Sequence, residues 1–250
     1  MGFLERAKEV FKEIVEERNL LEESVLISFR PLKPEEAIGN PGRDDFPIIA
    51  GKEMVIEASF RGKRAHVFTD SPSNYAGKLK EILEIDLYTN KNRAIFVGAL
   101  NAVLKYLGII ERTIHCRDDE PFKCGSEIAR SLKKKQDVKK VGLVGLNPAI
   151  LEGLVTAFGK DSVWVTDLNV ENIGKEKTGV AVWDGRTMTE KMIAEVDLVL
   201  ITGTTFVNGT YDQIRELVAR YKKNSVIYGV TASGICSLLK IESICPYGRS

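Results

Sequence analysis

Long apolar runs, glutamine and histidine are what this 250-residue chain has least of. No segment approaches the roughly 20 consecutive apolar residues that a membrane-spanning helix needs. The N-terminus reads as a charged amphipathic helix and not as a signal peptide, so a cytoplasmic location is expected. A formal net charge of +1 supplies no field to attract nucleic acid or an anionic membrane. The one dense basic run, Lys133-Lys134-Lys135 with Lys139 and Lys140, flanks a helix end, where lysine complements the macrodipole. G-x-S-x-G, Walker A and H-E-x-x-H are all missing, so serine-hydrolase, P-loop and zincin chemistry have no motif behind them. Glutamine occurs only at Gln136 and Gln213 against abundant Lys and Glu, a thermophile-like bias. That bears on the four cysteines, because intracellular proteins of hyperthermophiles can carry disulfides. They can be two bridges, a metal site, or four ordinary thiols.

What is present divides into two rhythms. Leu4, Ala7, Val10, Phe11, Ile14 and Val15 share a helix face over residues 4–18. Val25 to Phe29 reads as a strand closed by Pro31 and Pro34. Glu36 to Gly51 reads as an irregular loop, and Met54–Phe60 with Arg64–Thr69 as a hairpin around Arg61-Gly62-Lys63. Helices are expected from Tyr75 to Leu83 and from Arg93 to Leu107, stopped by Gly108. From Val141 onward, apolar strands alternate with helices: Val141–Gly145, Ser162–Thr166, Val196–Thr202 and Ser225–Val230, with helices opening at Pro148 and Tyr211. That alternation implies βαβ units and a doubly wound parallel sheet. The expected fold class is α/β: a Rossmann-like lobe, residues 111–250, preceded by a small α+β lobe, residues 1–110.

Two regions can carry chemistry. His115-Cys116-Arg117-Asp118-Asp119-Glu120-Pro121-Phe122-Lys123-Cys124 holds two of the four cysteines and one of the two histidines. Thiolate, imidazole and carboxylate are the ligands of zinc and transition metals, so His115, Cys116, Asp118, Glu120 and Cys124 are the candidate metal ligands. Cys124 is expected just before a helix, whose positive end favours its thiolate. The seven-residue separation of the two cysteines is not a zinc-finger spacing, and a disulfide or a solvated acidic loop are the alternatives. Cys236 lies in an apolar run and reads as a packed small hydrophobe. Cys245 sits in a terminal turn that can fold back onto a site, and His66 reads as a satisfied strand residue. The second region is the set of strand C-terminal ends, where open parallel sheets bind ligands. These ends carry Gly145, Asn147, Asp167, Thr204, Thr205, Asn208 and Thr231. Asp167 stands where a dinucleotide fold keeps its ribose-binding acid. The glycine fingerprint is incomplete, however, because Pro148 occupies the place of a further glycine.

Several stretches together resemble the heavy-metal chelation domain family, a Rossmann-like lobe preceded by an enolase-N-terminal-like lobe. They are Gly98–Ala102, Lys140–Gly145 leading into Pro148, Val196–Thr204, and Val226–Thr231. The resemblance implies a cleft between the lobes, lined by the strand-end residues above, and a role in metal handling without a defined reaction. It assigns no catalytic residue. The resulting expectation is a metal-binding protein, with a zinc or other transition-metal ion as its ligand. The alternative is an enzyme that holds a small anionic or nucleotide-like molecule at the switch point and uses Cys124 or Glu120 as its reactive group. A third reading is a non-catalytic scaffold with a vestigial cleft. Homo-oligomerisation is an ordinary expectation at this size, although no interface stripe is legible.

Overall fold

The computed structural model describes residues 1–21, 26–51 and 53–250. Helix α1 (Phe3–Glu17) turns Leu4, Ala7, Phe11 and Val15 inward at helical spacing. Then come β1 (Leu26–Leu32), a short α2 (Pro34–Ala37), β2 (Met54–Phe60), β3 (Lys63–Thr69) and β4 (Tyr75–Lys78). These strands form an antiparallel sheet in the order β3-β2-β1-β4. The hairpin expected between β2 and β3 is present, with Arg61 and Gly62 both at positive φ, as a two-residue turn matched to strand twist requires. Helices α3 (Leu79–Glu84) and α4 (Asn90–Tyr106) follow.

Two local expectations fail in this part. Pro31 does not close β1, which continues to Leu32. Strand β4 pairs with β1 only as far as Phe29, so one side of β1 is unpaired at Pro31, the setting in which a strand tolerates proline. Tyr75 to Lys78 is strand and not helix; the helix begins at Leu79, where the Glu81 carboxylate accepts the Lys78 N–H at 2.9 Å. The strand expected from Val25 begins within the described residues at Leu26, Val25 itself lying outside them.

The remainder alternates. Helix α5 (Glu120–Lys133) precedes β5 (Val141–Val144), α6 (Pro148–Phe158), β6 (Val163–Asp167), β7 (Glu176–Lys177) and β8 (Val180–Asp184). Then come α7 (Thr189–Glu195), β9 (Leu198–Thr202), α8 (Thr205–Asn208), α9 (Tyr211–Arg220), β10 (Asn224–Tyr228), α10 (Ser233–Leu239) and β11 (Ser243–Ile244). The strand order is β11-β10-β9-β5-β6-β8-β7, parallel except where β7 meets β8. The chain moves outward one way from β5 and the other way from β9, so the switch point lies between those two strands. The fold class is therefore the expected α/β with a second, antiparallel sheet. Strands β7 and β11 are two residues long and β8 is bounded by Gly179 and Gly185, so pairing and not periodicity reveals them.

Both faces of the parallel sheet are covered. Leu198 and Leu200 of β9 join a cluster with α5 and α6, whereas Val199 and Ile201 face the main core with α1 and α4. Every residue of α4 from Ala94 to Leu104 is buried, because it lies between the antiparallel sheet and helices α8 and α10. A Cβ on Gly98 would come within 2.9 Å of Phe29 and 3.0 Å of Ala58, so glycine sets how closely α4 meets the antiparallel sheet. Asn101 is the polar exception in that helix. Its Nδ2 donates to the Thr231 carbonyl at 2.9 Å and its Oδ1 accepts the Gly234 N–H at 2.8 Å, which fixes the loop after β10 against the first lobe. Among the described residues no helix is long and apolar enough to cross a membrane.

Candidate functional site

A cavity of about 770 Å³ is lined by Phe68, Thr69 and Asp70 at the end of β3 and by the C-terminal ends of β5, β6, β9 and β10. All seven strand-end residues singled out in the sequence line it: Gly145, Asn147, Asp167, Thr204, Thr205, Asn208 and Thr231. Much of their polar capacity is spent on shaping its wall. Gly145 has φ +84°, and a Cβ there would sit 2.6 Å from the Thr202 methyl, so only glycine passes between β5 and β9. The Asn147 side chain caps α6 by accepting the Ile150 N–H at 3.1 Å. Asn208 accepts from the Thr210 hydroxyl and amide, and the buried Thr205 hydroxyl donates to the Thr202 carbonyl at 2.7 Å. The Thr231 hydroxyl accepts the Phe68 N–H at 3.2 Å, across the two lobes.

Asp167 is the informative case. One carboxylate oxygen accepts the Leu146 N–H at 2.7 Å and the other the Asn169 N–H at 2.6 Å. The acid ties the loop after β5 to the end of β6, and the amide nearest the switch point already carries an anion. This arrangement argues against a dinucleotide. The charge of the wall agrees: among the described residues Asp70, Asp167 and Glu190 line the cavity with one guanidinium, Arg186, which donates to the Leu168 carbonyl. An anionic ligand would meet repulsion there.

Glu53 was not singled out in the sequence. It stands just before β2 and lines the same cavity as Asp167, whose charge acts on it. Burial, then the charges of Asp167 and Asp70, push its pKa up from an ordinary 4.5 to about 7. The folded state thus favours the neutral acid. The stability this confers is complete below about pH 4.5 and is lost as pH rises through about 7. Glu53→Gln is expected to stabilise the protein at pH 8 by on the order of 2 kcal/mol and to leave it nearly unchanged at pH 4.5. Paired thermal melts check this, and an effect independent of pH would contradict the assignment.

The other end of the cavity holds sulfur. Cys116 and Cys124 are buried and line it, together with His115 and Cys245. Cys124 is not ahead of a helix as expected but in the second turn of α5, which starts at Glu120 because the Glu120 carboxylate accepts the Arg117 N–H at 2.8 Å. Cys245 arrives through the C-terminal segment, where Arg249 and Ile114 exchange backbone hydrogen bonds of 2.8 and 3.0 Å. Arg249 also reaches Glu120 at 2.9 Å. Cys124 takes hydrogen bonds from the Cys116 and Cys245 thiols and from the Tyr247 N–H, which hold its thiol well below the ordinary range. Serving as donors to Cys124, and being buried, raises both Cys116 and Cys245. All four cysteines are free thiols, and Cys236 is packed in the main core, away from the cavity.

His115 has its Nδ1 2.6 Å from the Cys116 carbonyl, which can only accept, so the proton is on Nδ1. Its Nε2 lone pair is 3.9 Å from the Cys116 sulfur. Burial lowers its pKa to about 4, so the ring is neutral near pH 7. The two carboxylate candidates turn elsewhere. Asp118, at φ +57°, accepts the Asn40 N–H at 3.0 Å, and Glu120 is held by Arg117 and Arg249. Neither lines the cavity. His66, as expected, is satisfied in its strand, between the His115 amide and Glu57. Among the described residues no group of three or more His, Cys, Asp and Glu side chains is arranged as a ready metal site.

Residues 128–241 match the family model DUF364, described as "Putative heavy-metal chelation". Two crystal structures of DUF364 proteins of unknown function share the fold. One, from Pyrococcus horikoshii, is 19% identical with a TM-score of 0.57, over 95% of this chain and 82% of that one. The other, from Desulfitobacterium hafniense DCB-2, is 13% identical with a TM-score of 0.51, over 93% and 82%. No curated protein matches the chain. The DUF364 match contains the strand-end residues but begins after Cys124 and ends before Cys245, so the sulfur-lined corner lies outside it.

Proposed function

We propose that the protein binds a soft or borderline heavy-metal ion in the sulfur-lined corner of the cavity, through Cys116, Cys124 and Cys245 with His115 Nε2 as the fourth donor. The observation that supports this reading is that Cys116, Cys124, Cys245 and the neutral imidazole of His115 all line one cavity. The donor chemistry fits. Three sulfurs and one nitrogen make a tetrahedral set for zinc or its heavier congeners. With metal–sulfur bonds of about 2.3 Å, neighbouring donors in such a set stand roughly 3.5–3.8 Å apart. The 3.9 Å between His115 Nε2 and the Cys116 sulfur is close to that spacing. The Nδ1–H bond to a backbone carbonyl is the outer-shell support that metal-bound histidines ordinarily have. The family description is compatible with this reading, which replaces Asp118 and Glu120 by Cys245 in the ligand set.

The test is a titration of reduced, chelator-treated protein with cadmium, following the cadmium–thiolate charge-transfer band. One ion per chain, with protons released as the raised Cys116 and Cys245 thiols ionise, is the expected result. No band, with all four thiols intact and the fold retained, would overturn it.

A further inference from the structure

We propose that a second cavity, on the outer face of the antiparallel sheet, binds a small phosphate-bearing anion through Arg30, Arg64 and Arg117. This cavity of about 430 Å³ shares no lining residue with the larger one, and its volume is in the range of small-molecule sites. His115 and Cys116 line the larger cavity and Ile114 and Arg117 the second, so this short segment runs between the two. Strand alternation makes the site polar. Ile56, Ala58 and Phe60 of β2 join the main core, which turns Glu57 to the opposite face. Glu57 is buried, with Oε1 3.2 Å from Arg30 Nη2 and Oε2 3.3 Å from Arg64 Nη1 and 3.5 Å from His66 Nε2. His66 Nδ1 accepts the His115 N–H at 3.3 Å, so its proton is on Nε2 and the ring is neutral. Glu57 thus holds two guanidinium groups side by side.

Among the described residues, the guanidinium groups of Arg30, Arg64, Arg117 and Arg249 line the cavity with the carboxylates of Glu35, Glu36 and Glu57. Glu36 is spent on Arg30 Nη1 at 2.9 Å and on the Lys33 N–H at 3.0 Å, and Arg249 turns to Glu120 at 2.9 Å. Arg117 differs from the other three. Its Nη2 donates to the Glu35 backbone carbonyl at 2.8 Å, and its Nε is buried with no acceptor among the described residues. A buried cationic N–H left unpaired costs free energy that an anion beside it would recover. A tetrahedral phosphate suits this set better than a carboxylate does. Its oxygens point in several directions, toward guanidinium groups that come from β1, β3 and the segment before α5. A carboxylate presents its two oxygens in one plane, which fits a single guanidinium fork.

The experiment titrates the whole, metal-free chain calorimetrically with inorganic pyrophosphate, and separately with malonate, at one ionic strength. The expected result is one pyrophosphate per chain, bound more tightly than malonate, with an affinity that falls as salt rises. Arg117→Gln and Arg64→Gln should each weaken binding roughly tenfold or more, with circular dichroism to verify their folds. Arg64 is mostly exposed on an edge strand, so its variant keeps the test decisive if Arg117→Gln is unstable. Arg186→Gln, in the larger cavity, should bind as the unaltered protein does. No heat from pyrophosphate, malonate bound as tightly, or a loss of binding only in Arg186→Gln would each overturn the proposal. No metal is added, so failure of this titration or of the cadmium titration leaves the other interpretable.

Discussion

Cys124→Ser is expected to weaken cadmium binding roughly a hundredfold or more, while Cys236→Ser leaves it within a factor of about two. Outer-shell partners of metal ligands are commonly worth 10–100-fold in affinity, and a ligand that is itself a charged sulfur should exceed them. The Cys116 and Cys245 thiols and the Tyr247 N–H hold the Cys124 thiol below its ordinary range. A serine hydroxyl is of similar size but stays protonated and is a poor partner for a soft ion. Cys245→Ser and Cys116→Ser should weaken binding too. Competition with a chromophoric chelator would measure all four variants, with circular dichroism to verify their folds. Equal affinities for Cys124→Ser and the unaltered protein would remove the sulfur-lined corner from the function and return attention to the strand ends.

Gly125→Ala and Gly153→Ala should each be strongly destabilising, costing about 3 kcal/mol. Helices α5 and α6 cross at two buried glycines. A Cβ on Gly153 would stand 2.5 Å from the Gly125 carbonyl oxygen, and one on Gly125 only 2.2 Å from the Ala149 carbonyl oxygen. Both obstacles are backbone atoms, which cannot rotate aside, so the helices must separate. In an open helix the same exchange would stabilise by about 1 kcal/mol, so the sign of the effect is diagnostic. Urea midpoints would measure it. Because Cys124 precedes Gly125, the displacement of α5 should also lower cadmium affinity in Gly125→Ala, whereas a neutral result at either glycine would mean that the crossing is looser than described.

How much of this was legible in the chain differs from element to element. The amphipathic α1, the β2–β3 hairpin, the buried β5 and the α6 that opens at Pro148 all follow from short-range rules: side-chain period, positive-φ turn residues and the fixed φ of proline. The same rules misjudged Tyr75–Lys78, because a strand that short is defined by its partner β1 and not by its own pattern. The strand-end residues were legible because the parallel topology alone sends them to one rim. What they do there was not. Nothing local in the sequence says that Asp167 spends both oxygens on backbone amides, or that Glu53 lines the same cavity.

The sulfur-lined corner shows the division most clearly. The sequence by itself determined that thiols and an imidazole would cluster near residue 120, since His115, Cys116 and Cys124 are bound to be neighbours by chain connectivity. It equally offered Asp118 and Glu120, which share that connectivity. Only the tertiary structure chose among them. Backbone amides and Arg249 hold the two carboxylates outside the cavity, with Asp118 exposed. The Ile114–Arg249 pairing brings in Cys245 from the far end of the chain. Sequence proximity fixes which groups can meet cheaply, and long-range backbone pairing decides which of them do.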